Sequence, residues 1–549
     1  MGPPLPGRDP RRRDVRRRDL TRRDLLAGAC LAGAAAAGPA RGADAAVYRR
    51  GNGADPETLD PHKTSTLAEA TILLDLFEGL TAYDAGGTLV AGAAERWSSS
   101  PDGLTWTFAL RPDGRWSNGD PVVAEDFAFG LRRMLDPATG AKYANVLFPL
   151  RRAEAVNRGA LPPSALGVAA PDPLTLVVEL ERPTPYLLEL MTHQASTPVH
   201  RPSLAAFGDA FSRPGRLVSN GAYRLEDFSP NDRITAVRNP HFREAGSVRI
   251  PRVAYIPTPD VAAAVRRYAA GEIDSLDDLP ADQIRSLRAR FGDQVVLTPA
   301  LGVLALMVNL RKAPLGDARV RHALSLAIDR EFLAEAVWGE TMLPAYSFTP
   351  DGLDNALPPP LMPGRDLSPL EREDRAVALL REAGFGPGGR ALTVEIRYNT
   401  TDNNRNTMVA IGEMWRALNV ATAFVNTDAK THFAYLRDGG PFDLARMSWI
   451  ADYSDPQNFL FLVESGNDGF NSGRYANPAY DALMREAAGT VDLERRAGIL
   501  HRAEETFLAD LPWIPLLHYR HKHLVSPRLK GMRPNIRGVA PTRWLSLAP

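Results

Sequence analysis

Across residues 442–453 the sequence reads Phe-Asp-Leu-Ala-Arg-Met-Ser-Trp-Ile-Ala-Asp-Tyr. In extended backbone alternate side chains share a face, so Arg446, Ser448, Ile450 and Asp452 would point the same way. A guanidinium and a carboxylate then stand on one face, roughly 20 Å apart at ~3.3 Å per residue. With the arginine reaching inward, the remaining gap suits a short zwitterion. Its ammonium would lie at Asp452, its carboxylate towards Arg446, and its backbone would pair along the strand edge between them. Such strand addition draws affinity from main-chain hydrogen bonds without reading side chains. Arginine fits the carboxylate end because its planar fork matches two oxygens. The same pattern also describes an ordinary strand end, with Asp452 opening the turn Asp452-Tyr453-Ser454-Asp455-Pro456. Spacing alone leaves both readings open.

Motifs for catalysis are missing. The chain has no G-x-x-x-x-G-K-[ST], no G-x-S-x-G, no H-E-x-x-H and no complete G-x-G-x-x-G. Gly51-Asn52-Gly53 lacks the third glycine and reads as a turn. His518, His521 and His523 sit close in sequence, but no carboxylate or cysteine cluster joins them, so packed or solvated histidines are expected rather than a metal site. No cofactor is implied. An exported oxidoreductase stays as the enzyme alternative, weakened by the absence of a nucleotide loop and of cysteines. Trp97, Trp106 and Trp116 are expected in the core, whereas Trp449 is a candidate wall for a side-chain pocket.

The elements that position these residues lie in a chain of 549 residues, too long for one compact core, which stops growing near ~250–300 residues. Lys+Arg and Asp+Glu each total 65. Residues 1–45 hold ten Arg and five Asp, so the rest carries 55 basic and 60 acidic groups, a net of −5. A mildly acidic body argues against nucleic-acid binding, which needs a basic face. The single cysteine, Cys30, excludes disulfides within the chain and thiolate metal sites in the body. Arg11–Arg13 and Arg16–Arg18 precede Thr21-Arg22-Arg23-Asp24-Leu25-Leu26 and a weakly apolar run from Ala27 to Ala40, followed by Ala43-Asp44-Ala45. This resembles a twin-arginine export leader over residues 1–45. Lipidation at Cys30 is the weaker alternative, because Ala27-Gly28-Ala29 lacks the usual leucine.

Short alternating runs predict strands at Leu104–Leu110 and Leu174–Leu180 in the first third. After about residue 303 the period changes. Helices are predicted at Arg319–Val337, Asp374–Ala383, Asn406–Leu418 and Thr431–Arg437, with strands at Leu392–Tyr398, Val420–Val425 and Phe442–Trp449. This alternation predicts an α/β lobe with a mostly parallel sheet. The Pro-rich stretch Leu357–Gly364 reads as a surface loop.

Several segments in order across residues 47–549 resemble the periplasmic oligopeptide-binding proteins of ABC importers, the large three-domain class of solute-binding proteins. They include Leu59-Asp60-Pro61-His62-Lys63, Asp75-Leu76-Phe77-Glu78-Gly79-Leu80 and Arg115-Trp116-Ser117-Asn118-Gly119-Asp120-Pro121. Ser219-Asn220-Gly221-Ala222-Tyr223, Gly271-Glu272-Ile273-Asp274, Arg319-Val320-Arg321-His322-Ala323-Leu324 and Leu343-Pro344-Ala345-Tyr346-Ser347 continue it. The resemblance implies a bilobal α/β binding-protein fold with an additional domain and a ligand cleft between the lobes. It places domain I at 46–77, 202–303 and 520–549, domain II at 78–201 and domain III at 304–519.

In that family the Asp of Ala-Asp-Tyr binds the peptide's α-amino group, which matches Asp452. The Arg six residues earlier helps bind the carboxylate and matches Arg446, while a second Arg for shorter peptides matches Arg437. The family's peptide backbone pairs with two strands, matching Ser448-Trp449-Ile450 and Ser65-Thr66-Leu67. Two departures stand out: Asn404, beside Arg405, replaces a family His that assists the carboxylate, and the family Trp falls near Ala429-Lys430. The implied protein is a monomeric, non-enzymatic, periplasmic receptor for short peptides that hands them to permease subunits. A murein peptide, a metal chelate or an opine-like solute is the alternative within the same fold.

Overall fold

The computed structural model describes residues 46–548; the leader reading over 1–45 lies outside them. An eleven-stranded mixed sheet organises the molecule. Two long antiparallel strands, Val295–Val308 and Trp513–Val525, form its middle. On one side follow Leu444–Ile450, Leu392–Asn399 and Val420–Thr427; on the other Ser275–Leu276, Val47–Gly51, Arg252–Ile256, Arg233–Arg238 and Tyr223–Ser229. Met342–Pro344 pairs separately with the second long strand.

Both long strands belong to two bodies at once. Their register shifts between Pro299 and Val303, where Gly302 faces Ile450 and a side chain would collide with Ile450 and Tyr519. A shift of this kind bends a strand and ends regular pairing. The apolar core changes over at the same place. Leu297 packs with Ile256, Val265 and Leu524, whereas Leu301 to Val308 pack with residues up to Trp513 and Leu517. This is the bilobal α/β fold that the resemblance implies, with strands crossing from lobe to lobe.

In the second lobe Leu392–Asn399 runs parallel to both Val420–Thr427 and Leu444–Ile450, with the helices Asp402–Arg416 and Ala429–Arg437 as connections. Three parallel strands bear out the α/β expectation; the long strand beyond them is antiparallel to Leu444–Ile450. Helix starts lie earlier than apolar periodicity indicates, because capping side chains set them. Thr401 accepts from the Asn404 N–H, and Ser368 and Glu371 form a reciprocal capping box ahead of Pro369–Glu382. The helix predicted over Arg319–Val337 is broken: Ala318–Leu326 ends, and Asp329 caps a new turn by accepting from the Phe332 N–H at 2.8 Å.

Residues 94–179 contribute a four-stranded antiparallel sheet, ordered Ala94–Ser99, Thr105–Leu110, Thr175–Glu179 and Val168–Asp172. The helix Ala124–Leu135 covers it with Phe127, Leu131 and Leu135. Trp116 is fully buried, and Trp97 and Trp106 pack partly buried against the same core. Among the described residues no helix is long and apolar enough to cross a membrane.

Candidate functional site

The strand Leu444–Ile450 has one satisfied edge and one open edge. Along its length it pairs with Val308–Gly302. On its other side, pairing with Leu392–Asn399 covers only Leu444 and Ala445. From Arg446 onward no strand among the described residues occupies that edge. The Ala451 N–H donates to Leu301 O, so odd-numbered residues here turn their main chain towards the long strand. Arg446 O, turned the other way, accepts from the His432 ring at 2.9 Å. The amide and carbonyl groups of Ser448 and Ile450 therefore face the open edge.

At the Ile450 end of this edge lies a cavity of about 330 Å³. Its walls include Ser65, Thr66, Leu67, Tyr143, His193, Ile450 and Asp452. The Asp452 carboxylate is exposed to this space, and one oxygen accepts from the Tyr143 hydroxyl. The other oxygen has no partner among the described residues. Surrounding protein pushes the Asp452 pKa up, against which the hydrogen bond from Tyr143 works. His193 stacks on Tyr143 at 5.4 Å, and its Nδ1 accepts from the Ala195 N–H, so its remaining N–H sits on Nε2. Burial holds this histidine neutral, with its pKa lowered to about 4.

At the Arg446 end a second, more polar cavity of about 980 Å³ opens, lined by Arg446, Asn399, Asn404, Arg405 and Arg285. Arg446 is buried and makes one side-chain hydrogen bond, from Nη2 to the Tyr519 hydroxyl at 3.2 Å. No carboxylate pairs with it among the described residues, and burial pulls its pKa down. A buried guanidinium without an anion is costly, and a ligand carboxylate would relieve it. Asn404 is also buried; its amide donates to Asn399 O at 2.9 Å, and its own Oδ1 has no partner among the described residues.

The structure thus places Asp452 and Arg446 at opposite ends of one open strand edge, each in its own cavity. Three expectations need correction. Ser65-Thr66-Leu67 is not a strand: Thr66 caps the helix Leu67–Leu76, and the N–H groups of Ser65 and Thr66 both donate to Glu69 Oε2. These residues line the cavity as an extended cap whose first two amides are already engaged. Arg437 is exposed at its helix end beside Asp438 and lines neither cavity. Trp449 points to the opposite face from Ser448, where its ring packs edge-on against Phe461 and Phe470 and its indole N–H donates to Asn458.

His518, His521 and His523 bond separately to Ser347 O, Ile536 O and Asp277. Sequence reasoning missed Tyr143 and His193, which carry no local signal and reach the site only through the fold.

Residues 88–471 match the family model for bacterial extracellular solute-binding proteins, family 5. The chain belongs to this family. As a family 5 member it is 36% identical over 489 residues to the periplasmic oligopeptide-binding protein OppA of Haemophilus influenzae, covering 87% of this chain and 89% of that one. It is 35% identical to the periplasmic murein peptide-binding protein MppA of Escherichia coli, covering 87% and 88%. Among solved family 5 structures, an unliganded open form of MppA superposes with a TM-score of 0.84 at 33% identity, covering 92% of this chain and 98% of that one. Haemophilus influenzae OppA in complex with RPPGFSPFR gives 0.73 at 34% identity, covering 92% and 100%.

Proposed function

We propose that this protein captures short peptides with free amino and carboxyl ends and delivers them to the permease subunits of an ABC importer. The observation that carries the reading is the open backbone edge at Ser448 and Ile450, flanked by Asp452 on one side and the anionless Arg446 on the other. A peptide laid along this edge pairs main chain to main chain, as strand addition requires. Its ammonium meets the free oxygen of Asp452, and its carboxylate approaches Arg446.

Two lobes joined by bent strands close as a hinge, and the ligand stabilises the closed state by contacting both. The division into domain I (46–77, 202–303, 520–549), domain II (78–201) and domain III (304–519) is supported by the core changeover along the long strands. No catalytic step belongs to this reading, and the working unit is a monomer. A periplasmic location is supported by the periplasmic names of the relatives; the twin-arginine route rests on Thr21-Arg22-Arg23-Asp24-Leu25-Leu26 alone.

A murein peptide is the second reading, favoured by the 35% identity to MppA. Native mass spectrometry of the protein purified from its own cells separates the two. Co-purified masses matching a mixture of ordinary peptides support the first reading and a single murein fragment the second; a non-peptide ligand overturns both.

A further inference from the structure

Asp452 reaches Tyr143 across the boundary between the segment 78–201 and the second lobe. The cause lies next door. Pro183-Thr184-Pro185 leads into the short helix Leu187–Leu190, whose first turn presents Tyr186 and Glu189 to the turn that follows Asp452. Tyr186 stacks on Tyr453 with ring centroids 3.9 Å apart and planes within 6°. Glu189 Oε2 accepts from the Ser454 N–H at 2.8 Å, and Glu189 Oε1 accepts from Arg537 at 2.7 Å. Arg537 also pairs with Asp354, whose backbone N–H donates to Ser454 Oγ at 3.0 Å.

Both oxygens of Glu189 are therefore occupied, and although it lines the same cavity as Asp452 it is not the carboxylate free to take an ammonium. The carboxylate end of the cleft is built differently. There the residues 281–285 face 399–406 across the larger cavity, and no hydrogen bond or ion pair joins these walls among the described residues. Beside this cavity Gly339 lies against Ala281 O, the exposed pair Arg288–Glu340 spans the gap, and Arg520 donates to Glu340 O.

We propose that Tyr186 and Glu189 are positioning residues for peptide capture. They fasten the Asp452 turn to the segment carrying Tyr143, so the amine site stands assembled before the ligand arrives. The peptide docks by its amino end, and the Arg446 end closes on it afterwards. This rests on the peptide reading above. Preorganisation of this kind raises affinity by removing an ordering cost that binding would otherwise carry.

The test uses trialanine and N-acetyl-trialanine on wild type, Glu189→Gln and Tyr186→Leu. Calorimetry reads affinities, and stopped-flow tryptophan fluorescence reads association rates. Each variant is expected to lose about tenfold in the preference for the free amine over the acetylated peptide, with slower association of trialanine. A merely structural defect lowers the active fraction equally for both peptides and leaves the preference intact. Wild-type preference and rate in both variants overturns the inference while leaving the peptide reading standing. Failure of wild type to bind trialanine overturns both.

Discussion

Tyr143 donates its hydroxyl hydrogen to Asp452 across 309 positions of sequence. The bond orients one carboxylate oxygen and leaves the second facing the cavity beside Ile450. Removing Asp452 leaves a bound ammonium without its counter-charge in a cleft that closes over it, and breaking a buried ion pair costs about 3–5 kcal/mol. Asp452→Ala is expected to weaken peptide binding by two to three decades, roughly the equivalent in affinity, read by calorimetry. Tyr143→Phe should lose less, because the carboxylate stays.

Binding should depend on acidity with a definite sign. Partial desolvation by the surrounding protein raises the Asp452 pKa, and an ammonium needs the ionised form. Affinity is therefore weakest in acid, rises as pH climbs through the raised pKa and levels off towards neutrality. Calorimetry from about pH 4 to about pH 8 should show proton release on binding at the acid end. The dependence should vanish in Asp452→Asn.

The edge pairing predicts that affinity follows the peptide backbone more than its side chains. N-methylating the peptide amide that faces Ser448 or Ile450 removes one main-chain hydrogen bond and adds a clash. About a tenfold loss per blocked amide is expected, whereas changing the neighbouring side chain from Ala to Leu should matter little. Competition against a labelled peptide measures both.

Much of this site is legible in the sequence because it is local. Arg446, Ser448 and Ile450 share the strand Leu444–Ile450, and Asp452 follows it by two residues in the next turn, so local spacing alone brings the four close together. Ser65-Thr66-Leu67 is misread as a strand although Thr66-Leu67-Ala68-Glu69 carries the S/T-x-x-E signature of a helix start. Long-range contributions are illegible for a physical reason: nothing near Tyr143, Tyr186, Glu189 or Arg537 in sequence records what the fold brings to them. Arg437 illustrates the converse. The family resemblance implies a role for it on shorter peptides, but it lies exposed at its helix end beside Asp438. The fold class was readable from alternating helices and strands, while the helix starts followed capping side chains that apolar periodicity ignores.

The two arginines should accordingly behave differently. Arg446→Met is expected to cost about ten- to a hundredfold in affinity, the range for a hydrogen bond to a charged group. The loss should vary with peptide length, since only peptides that reach the larger cavity meet it. Arg437→Ala should leave the affinity for tetrapeptides within about twofold. Titrating di-, tri- and tetra-alanine into each variant checks both statements.

Glu504 carries a stability prediction independent of the ligand. It is fully buried and accepts from the Phe348 and Thr349 N–H groups and the Thr349 hydroxyl, yet burial raises its pKa from 4.5 to about 7. The folded state then holds this proton more tightly than the unfolded chain. Its contribution declines as pH rises from the unfolded value and is lost above the folded one, by about 3 kcal/mol in total at 1.36 kcal/mol per unit. The buried His62, His193 and His518, each lowered to about 4, act in the opposite direction. The informative quantity is therefore the difference between Glu504→Gln and wild type in urea unfolding. The variant should gain relative stability steadily as pH rises towards neutrality.

A crystal structure of the protein with trialanine bound decides between an occupied and an unused strand edge. The peptide's ammonium is expected within hydrogen-bond distance of the Asp452 carboxylate and its main chain paired with Ser448 and Ile450. A ligand lodged elsewhere, with that strand edge still empty and Asp452 touching only Tyr143, would contradict it.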